Sequence, residues 1–115
     1  IINIASIGGL IAHSDKVAAY VSSKHALVGF SRSLALDFED KGIRVLAACP
    51  HLTDTDFFKT STGASEMAPI VEKYRNFMDS PEDVARGIIE QLDSDRLVIF
   101  PTLKPAKAYE KQRDI

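Results

Sequence analysis

Two short apolar runs, Ile1-Ile2-Asn3-Ile4-Ala5 and Ile43-Arg44-Val45-Leu46-Ala47-Ala48-Cys49, flank one uninterrupted helix-length segment, residues 18–40. No other feature constrains the fold as tightly. The first run is β-branched and leads into Ser6-Ile7-Gly8-Gly9, which reads as a buried strand ending in a glycine-rich turn. The middle segment lacks proline and repeats Leu27, Phe30, Leu34 and Phe38 at helical spacing, most simply a buried helix face. It closes on Lys41-Gly42, a basic last turn followed by a C′ glycine. Pro50 stops the second run. Strand, helix and strand in such close succession demand parallel pairing through a right-handed crossover, so the expected fold class is α/β.

Downstream, residues 51–79 give mixed signals: Thr, Ser, Gly and Asp early, then a short helix expected over 70–78. Such a stretch reads as an excursion over the sheet, a lid segment spanning 50–79. Ser80-Pro81-Glu82-Asp83 is a clear helix start, with a serine N-cap, proline at N1 and acids in the first turn. Val84, Ile88, Ile89 and Leu92 then mark one apolar face. Residues 97–100 form a last short strand before Pro101. The polar tail beyond it, apart from Leu103 and Tyr109, is expected to be flexible.

Composition narrows the function. At 45% apolar and 26% charged, the 115 residues suit one globular domain with a modest core. The 16 acidic and 14 basic residues are interspersed and sum to −2, so no basic stripe suits a nucleic-acid partner. No apolar run is long enough for a transmembrane segment. The single cysteine, Cys49, excludes an internal disulfide and suits a reducing compartment, with a cytoplasmic location expected. The chain opens inside a strand without methionine, leader or cap, which predicts that a further half-domain precedes Ile1 in the parent protein. His13, His25 and His51 lack metal-site spacing and company, so no metal is expected. Asp54 and Asp56 read as turn and cap residues.

Tyr20 and Lys24 are four apart on the expected helix, so their side chains leave one face about one turn apart. A free tyrosine, with a pKa of about 10, is a poor acid-base near neutrality. Bringing it to about 7 requires roughly 4 kcal/mol of phenolate stabilisation, part of which a fixed ammonium can supply. Taken alone, the pair is equally an exposed helix pair. Ser6 adds context because it stands at the C-terminal end of a parallel strand, where α/β sheets present functional groups. Its bland role is to cap the glycine turn.

The segments Ile2-Asn3-Ile4-Ala5-Ser6-Ile7-Gly8-Gly9, Ala19-Tyr20-Val21-Ser22-Ser23-Lys24-His25-Ala26-Leu27-Val28-Gly29-Phe30, Gly42-Ile43-Arg44-Val45 and Cys49-Pro50 together resemble the short-chain dehydrogenase/reductase family. The match is in order, spacing and expected secondary structure, and runs from residue 1 to about residue 58. The resemblance implies a Rossmann-like doubly wound parallel sheet, of which this is the C-terminal half: strand, long helix, strand, lid segment, helix, strand. Residues 1–115 would then be part of a single NAD(P)-binding domain. It implies hydride transfer between NAD or NADP and an alcohol or carbonyl substrate. Tyr20 would act as general acid-base, Lys24 would lower its pKa and contact the nicotinamide ribose, and Ser6 would orient the substrate oxygen. Tyr20, Lys24, Pro50, His51, Thr53 and Thr55 are the implied cofactor-binding residues. The helix of residues 18–40 is the implied interface of a homodimer or homotetramer.

The chain departs from the family pattern in three places. The interval from Ser6 to Tyr20 is one residue longer than the commonest spacing, an insertion assigned to the turn through His13-Ser14-Asp15. His51 stands where glycine is usual, and Thr53 where an aliphatic residue is usual, which implies altered cofactor contacts. The first glycine-rich phosphate loop, the residue that chooses between NAD and NADP, and the helix asparagine do not occur in residues 1–115. Isolated residues 1–115 are therefore expected to be inactive, to bind nucleotide poorly and to aggregate through an exposed strand edge. Phe57, Phe58, Met67, Phe77 and Met78 either line a pocket for an apolar secondary alcohol or serve as ordinary packing. The alternative function is a catalytically silent binding or assembly module, favoured by His51 and by the absent nucleotide-binding half.

Overall fold

Strand β2 (Leu46–Ala48) is the centre of the molecule because both of its faces are apolar and both are covered. Side chains alternate across a strand. Leu46 and Ala48 therefore join Ile99 and Ile88 on one side of the sheet, while Cys49 joins Ala5 and Val28 on the other. β1 (Ile2–Ile4) and β3 (Val98–Ile99) flank β2, both in parallel, in the order β1-β2-β3. The computed structural model describes residues 1–12, 14–60 and 64–112, with the backbone alone at 58, 59, 64, 66, 67 and 70. His13, and the insertion assigned to its turn, lie outside the described residues.

Helix α1 (Ala18–Asp37) packs on the Ala5, Cys49 face. It ends through a short 3-10 turn, Glu39–Lys41, at Gly42, whose φ of 69° places it in the left-handed region that glycine enters without a Cβ penalty. Lys41 Nζ donates to the Asp37 carbonyl at 3.1 Å, as a basic last turn should. The buried face is not the expected one. Val28 and Ser31 are buried, whereas Phe30 is 56% exposed and Leu27, Leu34 and Phe38 are only partly covered. The inward face is rotated by roughly a quarter turn from the Leu27, Phe30, Leu34, Phe38 stripe on a helical wheel. Its register is set by Gly9, where a Cβ would stand 2.8 Å from both the Lys24 carbonyl oxygen and Val28 Cγ2. Asn3 Nδ2 donates to Ser31 Oγ at 2.9 Å, and Ser31 Oγ donates to the Leu27 carbonyl at 2.8 Å, so the polar pair beneath the helix is satisfied.

Helix α4 (Pro81–Glu90) covers the opposite face. Ser80 caps it, its Oγ accepting from the Asp83 amide at 3.1 Å. α4 reaches β2 and β3 through Ile88, but no described element covers β1 on this side. The strand expected to be buried is therefore covered on one face only, and Ile4 is 51% exposed.

Two other expectations need correcting. The segment between β2 and α4 is more helical than its composition suggests. It contains α2 (Phe57–Thr60), α3 (Ala64–Tyr74) and a 3-10 turn, Arg75–Phe77, so the helix begins six residues earlier than residue 70. Pro69 sits in its second turn, where it lacks an N–H to return to Ser65. The tail, expected to be flexible, forms α5 (Leu103–Gln112). Pro105 is buried, and the Tyr109 ring lies 5.8 Å from that of Phe100. Those two contacts supply the packing that a short polar helix needs.

Candidate active site

The C-terminal ends of β1 and β2 lie side by side, and the turn after β1 is tied to the exit of β2 by the Ile7 amide, which donates to the Pro50 carbonyl at 2.9 Å. Ser6 stands two residues beyond the end of β1. Its backbone is extended, and its Oγ accepts from the Gly8 amide at 3.0 Å, which caps the 3-10 turn Ile7–Gly9. That bond uses an oxygen lone pair and leaves the hydroxyl proton for another acceptor. The capping role and an orienting role are thus compatible in one side chain.

Tyr20 is in the first turn of α1, and Lys24 is one turn further along. A Cβ on Gly8 would stand 3.2 Å from Tyr20 Cε1 and 3.5 Å from Ser6 Oγ, so the phenol edge and the serine hydroxyl border the same small space. Any side chain at Gly8 would intrude there. Lys24 Nζ lies 5.7 Å from the Tyr20 ring centroid and donates a long bond, 3.5 Å, to the Ile4 carbonyl at the end of β1. An ammonium has three donors, so this anchor leaves capacity for a ligand. Ser6 is buried, Lys24 half-buried and Tyr20 36% exposed, a gradient that runs outward from the sheet to solvent.

Pro50, His51, Thr53 and Thr55 are on the strand exit that runs past this corner. Pro50 and His51 are half-buried. Thr53 Oγ1 donates to the His51 carbonyl at 2.9 Å, and Thr53 forms a parallel bridge with Asp79. Thr55 is exposed, and its Oγ1 accepts from the Phe57 amide at 3.3 Å. Phe57 then closes the circuit, its ring centroid 6.0 Å from that of Tyr20 at a tilted 56°. The structure thus gathers Ser6, Tyr20 and Lys24 tightly and brings Thr55 to their edge through Phe57. Thr53 is turned into the backbone bridge, its hydroxyl spent on the His51 carbonyl.

Sequence reasoning missed the supports of this corner. Gly8 as the shared wall, the Ile4 carbonyl as the lysine anchor, and Asn3 bonded to the Ser31 of α1 carry no local signal that separates them from ordinary strand and turn residues. Phe57 was legible only as an apolar lid residue. Phe77 and Met78, weighed with it as pocket or packing residues, stand at the end of the 3-10 turn Arg75–Phe77 and just after it, with Phe77 exposed. The side chains of Phe58 and Met67 lie outside the description. Among the described residues, no group of three or more His, Cys, Asp and Glu could hold a metal, and no helix is long and apolar enough to cross a membrane.

Comparison with known proteins identifies similar chains. A family model described as short chain dehydrogenase matches residues 1–66. The chain is 32% identical over 107 residues to 15-hydroxyprostaglandin dehydrogenase (NAD(+)) of Bos taurus, a match covering 84% of this chain and 40% of that protein. It is 36% identical over 81 residues to 3beta-hydroxysteroid dehydrogenase of Mediterraneibacter gnavus, covering 69% of this chain and 29% of that one. Among solved structures, 4-hydroxyisoleucine dehydrogenase complexed with NADH superimposes with a TM-score of 0.59 at 32% identity, over 90% of this chain and 45% of its own. The chain therefore spans less than half the length of the relatives it matches.

Proposed function

This chain belongs to the short-chain dehydrogenase family, and from that premise we propose that it carries the acid-base corner of a nicotinamide-dependent oxidoreductase acting on an alcohol or its carbonyl. The observation that carries the reading is that Ser6 and Tyr20 border one space beside Gly8 while the Lys24 ammonium stands 5.7 Å from the Tyr20 ring centroid. NAD is the favoured nucleotide, because one relative is named for NAD(+) and one structural neighbour is described with NADH.

The donors present suit such a ligand. Lys24 has capacity beyond the Ile4 carbonyl for ribose hydroxyls, and Pro50, His51, Thr53 and Thr55 line the strand exit beside it. The bound nucleotide supplies or accepts the hydride. The chain's own residues do the rest. Ser6 donates its hydroxyl proton to the substrate oxygen and fixes its position. In carbonyl reduction Tyr20 Oη gives that oxygen a proton as the carbon gains hydride, and in alcohol oxidation it takes the proton back. Lys24 stabilises the phenolate charge that remains. Phe57 screens the phenol from one side.

Residues 1–115 serve as the C-terminal part of one nucleotide-binding domain, with residues 50–79 on the substrate side. The partner is a small, apolar alcohol or ketone. The exposed Phe30 and Leu36 on α1 suit a homodimer or homotetramer interface. Tyr20→Phe in the intact protein tests the reading. Loss of a positioned acid-base typically removes 10²–10⁴-fold, so turnover should drop by about that factor. Unchanged turnover would overturn the assignment and favour a binding or assembly module.

A further inference from the structure

Beyond β2 the strand exit leaves the sheet, and its next backbone anchors both come from Asp79. The Asp79 amide donates to the Leu52 carbonyl at 2.9 Å, and the Asp54 amide donates to the Asp79 carbonyl at 3.0 Å. The Asp79 side chain, only 11% exposed, is itself gripped from a third place in the chain. Thr102 Oγ1 donates to Oδ2 at 2.6 Å, and Lys104 Nζ pairs with Oδ1 at 3.2 Å. The same ammonium donates to the Phe77 carbonyl at 2.7 Å.

We infer that Asp79 is a positioning residue for the proposed nucleotide-facing strand exit, clasped by Thr102 and Lys104 so that the start of α5 sets where Thr53 and Thr55 stand. The inference rests on the proposed function for the identity of the ligand, but the clasp itself is independent of that reading. Charge-assisted hydrogen bonds from two donors to one nearly buried carboxylate fix its orientation better than a single surface ion pair. Through the Asp79 backbone, that fixation passes to Leu52 and Asp54, on either side of Thr53. Neither Thr102 nor Lys104 is hydrogen-bonded to Ser6, Tyr20 or Lys24 among the described residues. Because α5 also packs on the turn Ile7–Gly9, exchange at the Asp54 and Asp79 amides is the readout that isolates the route through the strand exit.

The test uses Asp79→Asn, Lys104→Met and Lys104→Arg in the intact protein. The readouts are NADH affinity by calorimetry and hydrogen exchange at the Asp54 and Asp79 amides without nucleotide. The clasp predicts faster exchange at both amides and about 10-fold weaker NADH binding in Asp79→Asn and Lys104→Met, since small displacements of positioning groups are costly. Lys104→Arg, which keeps charge and reach, should bind NADH within about two-fold of the parent. A purely electrostatic role makes a different prediction: removing the carboxylate would strengthen binding of the anionic nucleotide, while removing the ammonium would weaken it. Tighter binding by Asp79→Asn therefore overturns the inference, as does unchanged exchange, or faster exchange with unchanged affinity. Should Asp79→Asn fail to fold, exchange at the Asp54 and Asp79 amides in Lys104→Met decides, because that side chain is 43% exposed and both roles weaken NADH binding in this variant. Normal turnover in Tyr20→Phe together with the clasp effects in the Asp79 and Lys104 variants would sink the acid-base reading and leave this inference standing.

Discussion

Cys49 is fully buried between Ala5 and Val28, and burial pushes its thiol from 9.0 up to about 11, against smaller downward pulls from the Ser6 backbone, Arg32 and Lys24. Above pH 9 the unfolded chain releases this proton while the folded chain keeps it. The stability that the protonated thiol contributes is complete below about 9 and is lost as the pH rises toward 11. Two units correspond to roughly 2–3 kcal/mol at most. Urea midpoints measured across that window should fall more steeply for the parent than for Cys49→Ala, and parallel slopes would contradict this. Alkylating reagents should leave the native thiol untouched at neutral pH. The site residues divide in legibility for a similar reason of reach. Ser6, Tyr20 and Lys24 were readable because a strand end and a four-residue helical spacing are local patterns. Asp79 was not, because Thr102, which grips it, is 23 residues away and only the returning chain brings the two together.

The elements were legible where local chemistry and packing agree. Ser80-Pro81 announced α4, and Gly42 announced the end of α1. They were illegible where packing decides: α5 depends on Pro105 and Tyr109 meeting the body of the fold, and the buried side of α1 depends on how closely Gly9 lets it approach. Gly87 is the sharper case. A Cβ there would stand 1.8 Å from the Pro101 carbonyl oxygen, which is backbone and cannot yield without moving β3 away from α4. Gly87→Ala should cost 3 kcal/mol or more, the upper end of the usual ~1–3 kcal/mol for overpacking, despite alanine's better helix propensity. Ser80→Ala, which removes one capping bond, should cost only about 1 kcal/mol. Thermal melts of the two variants give the ranking, and equal losses would mean that α4 does not pack as described.

Across the whole molecule, the α/β class and parallel order follow from the strand-helix-strand pattern, whereas the uneven covering of β1 does not. Ile2 and Ile4 are exposed on the open side of an edge strand, and Ile1 just before it is exposed as well. Residues 1–115 expressed alone should therefore self-associate, and light scattering would report it. A monodisperse monomer would contradict this picture. The central claim is that Tyr20, Lys24 and Ser6 serve a hydride transfer, and isotope transfer in the intact protein tests it most directly. The protein is supplied with nucleotide deuterated at the hydride position and a panel of apolar ketones, and the products are weighed by mass spectrometry. The account predicts one deuterium on the carbinol carbon of at least one product, nearly abolished in Tyr20→Phe. Products without deuterium, or equal labelling in the variant, would contradict it.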